Sequence, residues 1–369
     1  MATNGQDANS GIKSKPFATL ERARDAIRSL KTRGGVPGPV TVQVRGGIYL
    51  LGRTLELGDE DAGSEDAFIV YRAYGSEKVA LVRGRSITNF RPHAGRILKA
   101  ELRSQGGEGR RFCLLVFDGK RQELARYPNR NPDDLNGGAW AYVAGKRFGM
   151  YEDSPDETGY HAQNQQLDFW QRNVPRYTRM LRLQPADIHS WSRLEQGEVS
   201  IFPRFNWSHH VLGIESFDWT NGILNLKPGA YYEIRPGDRY FVRNLLEELD
   251  APGEWYLDDR TWTLYFWPPA PIGSKTVYAA ALQSILAMKQ CAHVTVQGFT
   301  FECCDDTTVK LENCTNCTIA ASTIRNAGDY NGNGITVEGG QKNRVAGNDL
   351  YEVGGHGIEL SGCLHVRIE

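Results

Sequence analysis

An excess of charge of either sign is the first thing this sequence lacks. Lys and Arg number 43 against 44 Asp and Glu, a formal net charge of -1. That argues against a polyanion binder such as a DNA-binding protein, whose affinity rests on a basic surface. No run of about 18 apolar residues occurs, so no membrane-spanning helix is expected. The seven cysteines are an odd number, which argues against a complete disulfide framework. Cys314-Thr-Asn-Cys317 has neither a second CxxC nor a His pair to complete a zinc site, so no metal is expected there. Behind Met1 the segment Ala2–Gly11 shows no basic and then apolar leader. Either the protein is intracellular, or a secretion signal has been removed and an initiator Met put in its place.

What the sequence does have is a repeat near its end. His293-Val-Thr-Val-Gln-Gly-Phe-Thr-Phe301 returns as Asn316-Cys-Thr-Ile-Ala-Ala-Ser-Thr-Ile324, then as Asn343-Arg-Val-Ala-Gly-Asn-Asp-Leu350, and begins again at His365. The apolar marks Val296, Ile319, Val345 and Ile368 are spaced 23, 26 and 23 residues, and a second column runs through Val309, Ile335 and Ile358. Alternation around both columns is the mark of strands. Short strands recurring every twenty-odd residues, with Gly and Asn at the corners, describe stacked coils. The fold expected is all-β: a right-handed parallel β-helix.

Ahead of the repeats, Ser14–Leu30 reads as an amphipathic helix with an apolar face of Leu20, Ala23, Ile27 and Leu30, ended by Gly34-Gly35. A helix there would cap the open first coil. Strand patterns follow from Val40, and Val44 to Val70 repeats the 26-residue spacing. All eight tryptophans then lie between Trp140 and Trp267, where the period vanishes and hairpin signals replace it, at Asp118-Gly119 and across Trp255–Phe266. The expected organisation is a cap and first coils over 1–99, an inserted antiparallel β-sandwich over 100–276 with its aromatics in the core, and the β-helix continued over 277–369. There Ile285 should stand one coil before Val309. With about three coils after the insertion and no closing cap, the chain is expected to be truncated.

The polar groups sit in loops that join the two columns. In register, the loop Ile324–Ile335 is three residues longer than its neighbours, so Asp329-Tyr330-Asn331 should bulge. Thr307, Asn333 and His356 should stack, as should Cys303, Asn326 and Glu352. Asp329 and Glu352 are 23 residues apart, one coil, and adjacent coils lie about 4.8 Å apart. Retaining glycosidases hold two carboxyls at about 5–5.5 Å, inverting ones at about 6.5–9.5 Å. The spacing therefore favours retention, with Asp329 as nucleophile and Glu352 as acid/base. His356 would orient a carboxyl or bind sugar; Asp305, Asp306 and Asn333 would be further substrate ligands, and Asp305 or Asp306 could be the nucleophile itself. Two rivals stand beside this. A polysaccharide lyase would use Asp305, Asp306 and Asp329 to hold Ca²⁺ against a uronate, and a non-catalytic solenoid would only bind carbohydrate. Outside the lyase case no cofactor is expected.

The stretches Asp7–Leu20, Val44-Arg-Gly-Gly-Ile-Tyr49, Leu124-Ala-Arg-Tyr-Pro-Asn129 and Glu247–Leu257, with the Gly354-Gly-His-Gly-Ile358 rhythm, resemble secreted bacterial β-helix glycoside hydrolases of the pectin-lyase-like superfamily. The most similar types are the β-xylosidase family with a β-sandwich inserted in its β-helix, and related α-fucosidase or xylanase-like enzymes. The resemblance implies a polysaccharide or oligosaccharide substrate, a secreted or periplasmic location, no nucleic-acid or membrane partner, and an Asp nucleophile with a Glu acid/base on neighbouring coils. By position these are Asp329 and Glu352.

Overall fold

A computed structural model describes residues 1–36, 38–131, 133–134, 139–147, 149, 175–281 and 284–369. These divide into two compact units. The first comprises Met1–Thr88, Gly109–Gln122 and Ile272–Glu369; the second comprises Asn89–Glu108 and Glu123–Pro271.

The first unit is built of coils with three strands each, stacked as three parallel sheets. One sheet runs Val40–Val44, Ile69–Ala73, Val294–Gln297, Thr318–Ala320, Arg344–Ala346, Arg367–Ile368. The second runs Gly47–Leu50, Val79–Val82, Phe299–Cys304, Thr323–Ala327, Asp349–Val353. The third runs Leu55–Leu57, Leu286–Lys289, Val309–Glu312, Ile335–Glu338, Ile358–Ser361. All pairings along these sheets are parallel.

One coil is completed by residues more than 200 positions apart. Ile69–Ala73 and Val79–Val82 supply its first two strands, and Leu286–Lys289 supplies the third, filling the slot beside Leu55–Leu57. The period disappears from the middle of the chain because the coil is opened there and closed again only on return.

Inward-facing side chains form continuous rows. Val42, Tyr71, Val296, Ile319 and Val345 are ladder neighbours on the first sheet, and Tyr49, Leu81, Phe301, Ile324 and Leu350 on the second. Phe301, Ile319, Ile324, Val309 and Ile335 are fully buried in one core, each worth about 1.5–3 kcal/mol of apolar burial. Corner asparagines stitch one coil to the next. Asn343 accepts from the Cys317 N–H (3.0 Å) and donates to the Cys314 carbonyl (2.8 Å). The interior cysteines are free thiols; Cys314 and Cys317 each donate to a carbonyl of the preceding coil, those of Met288 and Cys291.

The register corrects two spacings. Val44 pairs with Ala73 and Thr41 with Val70, so this coil is longer than the later ones. Leu286, not Ile285, faces Val309. Alternation within a strand marks which residues face in, but the spacing from coil to coil also depends on turn lengths that the strand pattern does not record.

The helix spans Leu20–Thr32, with Thr19 as N-cap accepting from the Arg22 N–H at 3.1 Å. Leu20, Ala23 and Ile27 join the coil core; Leu30, expected on the same face, is 53% exposed. Arg28 grips the buried Asp61 carboxylate with two bonds of 2.8 and 2.7 Å, tying the cap to the first coil.

Outside the coils, Gly84–Ser86, Val277–Ala280, Leu115–Phe117 and Lys120–Leu124 are consecutive antiparallel neighbours. Asp118 and Gly119 turn the last pair with φ of 51° and 74°, the two positive values that a tight hairpin needs. Residues 109–122 thus belong with the coils, although the sequence pattern places them in the insertion. Their strand partner Val277–Ala280 lies far along the chain, so nothing local reveals it.

The second unit holds an antiparallel sheet ordered Arg126–Tyr127, Arg239–Arg243, Glu198–Phe202, His210–Asp218, Ile223–Lys227, Met180–Arg182. Another sheet joins Glu254–Asp258, Thr263–Phe266, Ile97–Glu101 and Arg91–Ala94. Trp191 and Trp255 are buried as expected of core aromatics, but Trp207 and Trp219 are 68% and 57% exposed. Trp170 lies outside the described residues.

Candidate active site

Each coil of the repeat region leaves its second sheet through one left-handed residue. Cys303, Asn326 and Glu352 have φ of 65°, 52° and 52° and lie between ladder pairs, since Glu302, Arg325 and Tyr351 are neighbours, as are Cys304, Ala327 and Val353. The three residues form one column. Cys303 and Asn326 are buried and Glu352 is exposed.

Beyond this column the longer loop bulges at Asp329-Tyr330-Asn331. Gly328 and Gly332 close its neck so tightly that a Cβ on either would overlap the other's Cα. The next coil wedges Gly354 against the Asp329 peptide, where a Cβ would fall inside the envelope of the Asp329 carbonyl. The Gly354 N–H meets the Ala327 carbonyl at 2.9 Å, and the Gly355 N–H meets that of Gly332 at 2.7 Å. Glu352, two residues before Gly354, is thereby brought to the segment that carries Asp329.

The stack expected of Cys303, Asn326 and Glu352 is present, but the 23 residues from Asp329 to Glu352 are not one coil. On the second sheet this coil repeats at 26 residues, because Arg325 pairs with Tyr351; Asn326 therefore stands at the ladder position of Glu352, and Asp329 lies three residues on, in the bulge.

On the preceding coil, Asp305 and Asp306 follow Cys304. Cys113 donates its thiol to Asp305 Oδ1 at 3.3 Å. Burial pushes the Asp305 carboxyl above the usual carboxylate range, and the charges of Asp306 and Asp329 push the same way. Burial likewise raises the Cys113 thiol, with the Asp305 and Asp329 charges adding to it. The three aspartates thus lie within one electrostatic neighbourhood. Asp306 is paired with Lys310 at 3.3 Å.

Arg121 enters the same place from the hairpin. Its Nη1 donates to the Gly328 carbonyl at 2.8 Å and its Nη2 pairs with Asp329 Oδ1 at 3.3 Å. Asn326 Nδ2 donates to the Gly119 carbonyl at 3.2 Å, so the turn of the hairpin is tied to the left-handed column. Beneath it lies a charged row: Arg325 Nε binds the buried Glu302 carboxylate at 2.6 Å, and Nη1 reaches the Tyr351 hydroxyl at 3.3 Å.

Asn333 and His356 lie in the loops that lead into the third sheet. Asn333 Oδ1 accepts from the His356 backbone N–H at 2.8 Å, and its Nδ2 donates to Glu359 at 2.6 Å. The amide of Asn333 is spent on joining coils, and the His356 side chain is exposed. Arg121 and Cys113 escape sequence reasoning altogether. Their partners lie 208 and 192 positions away, and no pattern within either segment announces them.

A family model described as "right handed beta helix region" matches residues 277–369. No curated protein matches the chain. Among solved structures, the chain is similar to one described as a glycoside hydrolase, with a TM-score of 0.69 and 16% identity, over 96% of this chain and 73% of that one. It is also similar to the structure of XylC in complex with xylose, at 14% identity and a TM-score of 0.40, over 97% of this chain and 56% of that one. With the ladders described above, the family-model match and the likeness at a TM-score of 0.69 show that the chain is an all-β protein with the right-handed parallel β-helix fold.

Proposed function

We propose that this protein is a carbohydrate-active enzyme, a retaining glycoside hydrolase that acts on plant or microbial polysaccharide or oligosaccharide in the manner of a xylosidase or xylanase. The observation that carries the reading is the wedging of Gly354 against the Asp329 peptide, which draws two acid-bearing segments of successive coils together, with Arg121 paired to one of the acids. Two carboxyls on opposite sides of a glycosidic bond are the minimal apparatus for its hydrolysis. The glycoside-hydrolase description of a structure sharing the fold supports the class.

In this mechanism Asp329 attacks the anomeric carbon while Glu352 protonates the departing oxygen. The C–O bond breaks and a glycosyl ester forms on Asp329. Glu352, now a carboxylate, takes a proton from water as that water attacks the same carbon, releasing the sugar and restoring both acids. Arg121, on the Gly328 carbonyl and the Asp329 carboxylate, fixes where that carboxylate sits for attack. Asp305 and Asp306 line the approach as sugar ligands. The chemistry needs no organic cofactor, and a polymeric substrate assigns its work outside the cytoplasm.

The test is a product screen on xylan, xylo-oligosaccharides, aryl xylosides, fucosides and pectin. New reducing ends, retained anomeric configuration and indifference to a chelator are expected. Asp329→Asn should abolish turnover, and Glu352→Gln should lower it unless the leaving group is activated. Unsaturated, ultraviolet-absorbing products lost with a chelator would establish lysis instead, and affinity without turnover would establish a binding solenoid.

A further inference from the structure

We propose that Arg121 is a positioning residue for the nucleophile: the hairpin Leu115–Phe117/Lys120–Leu124 exists, at this point of the fold, to plant one guanidinium on both the neck and the carboxylate of the Asp329 bulge. The inference rests on the hydrolase reading above. A bulge of three residues on a solenoid turn has no strand partners of its own, and its side chain can serve as a nucleophile only if something outside the coil holds it. Arg121 supplies that hold at two atoms, with Nη1 on the Gly328 carbonyl at 2.8 Å and Nη2 on Asp329 Oδ1 at 3.3 Å. A planar guanidinium can do this as one rigid fork, and an ammonium cannot.

The hairpin is in turn anchored rather than free to swing. Asn326 Nδ2 donates to the Gly119 carbonyl, and Val277–Ala280 pairs with Leu115–Phe117 through three ladder positions. A Cβ on Gly119 would come within 3.2 Å of Arg325 Nη2, so the turn rests on the Glu302–Arg325 pair below it. Both partners of the Arg121–Asp329 contact are less than one-fifth exposed, where screening by water is incomplete.

Asp329 shares its surroundings with other acids. Asp305 and, behind it, Asp306 face it from the preceding coil, and Cys113 lies beside Asp305. Glu352 comes from the following coil, and Tyr330 is its chain neighbour. Lys310 is engaged by Asp306. Arg121 is a cation in direct contact with Asp329, and its second contact, to the Gly328 carbonyl, fixes the direction from which it holds that carboxylate.

The experiment compares wild type with Arg121→Gln, Arg121→Lys and Asp329→Asn. Folding is followed by far-ultraviolet circular dichroism, the hold on the bulge by amide hydrogen exchange across residues 328–332, and turnover by kcat and KM on 4-nitrophenyl β-xyloside. Arg121→Gln should keep the fold and speed exchange across the bulge by about tenfold or more. It should lower kcat by about tenfold or more, with KM little changed, as loss of orientation does. Arg121→Lys should recover only part of kcat, since an ammonium cannot span both contacts. Unchanged exchange of the bulge in Arg121→Gln overturns the proposal, as does unfolding of both Arg121 variants, which would make the residue a brace for the fold alone. Turnover that survives Asp329→Asn defeats the hydrolase site assignment instead, and leaves the exchange of the bulge to judge Arg121.

Discussion

Gly354 packs against the carbonyl of Asp329 with no room for a side chain between them. This contact joins the bulge of one coil to the loop of the next, and it sets where Asp329 sits relative to Glu352. Gly354→Ala should therefore cost about 2 kcal/mol or more, since backbone rather than a movable side chain is in the way, and should lower turnover beyond the loss of folded protein. Gly347→Ala is the control. Gly347 has φ of 61° with nothing within 4 Å of an added Cβ, so it should cost only about 1 kcal/mol of backbone strain. Urea denaturation of both variants checks this; equal losses would mean that the steric wedge is unimportant.

The Glu302–Arg325 pair is built into the coil wall. Glu302 is 5% exposed and its partner nitrogen lies 2.6 Å away. Removing one member of a buried pair leaves the other unmatched, whereas removing both can be nearly neutral. Glu302→Gln should destabilise by about 2 kcal/mol, a figure lowered for the partial exposure of Arg325. Glu302→Gln combined with Arg325→Met should recover much of that loss. Additive losses in chemical denaturation would show that the two side chains act separately.

At the capping helix, Asp61 is 2% exposed, receives two bonds from Arg28 and accepts the Gly58 N–H at 2.8 Å. Asp61→Asn should loosen the cap by about 2 kcal/mol. Hydrogen exchange should speed up across Leu20–Thr32 first, ahead of the distant coils. Uniform exchange throughout the first unit would instead make cap and coils one cooperative block.

Glu254 in the second unit carries a pH signature. Its oxygens accept backbone N–H groups of Arg126, Asp250 and Ala251, yet burial outweighs them and pushes the carboxyl up to about 7 from 4.5. Between those values the folded protein keeps a proton that the unfolded chain has released. Stability therefore falls as pH rises through the window, by about 3 kcal/mol in all, and this contribution is flat below 4.5 and above 7. Glu254→Gln should erase the slope. Urea midpoints taken from pH 4 to 8 would count against it if wild type and variant ran parallel.

The coils of the repeat region were legible because three or more copies of one pattern lie end to end in the chain. Val296, Ile319, Val345 and the column Val309, Ile335, Ile358 pair in the structure as their spacing says. The N-terminal coils were harder, since a single 26-residue spacing without repetition cannot exclude a slip, and Val44 in fact faces Ala73. The candidate acids could be named from the length of one loop; how Asp329 is held could not.

By itself the sequence determined the class of fold, the helix that caps it, and the loop where acids of successive coils gather. Periodicity and a three-residue insertion are local properties, written where they act. Only the tertiary structure decided that Leu286–Lys289 closes a coil begun at Ile69, that Thr41 rather than Val44 faces Val70, and that Arg121 reaches the bulge. Each of these joins segments far apart in the chain, or depends on a register that alternation leaves open, and such pairings are selected by packing rather than by any neighbouring residue.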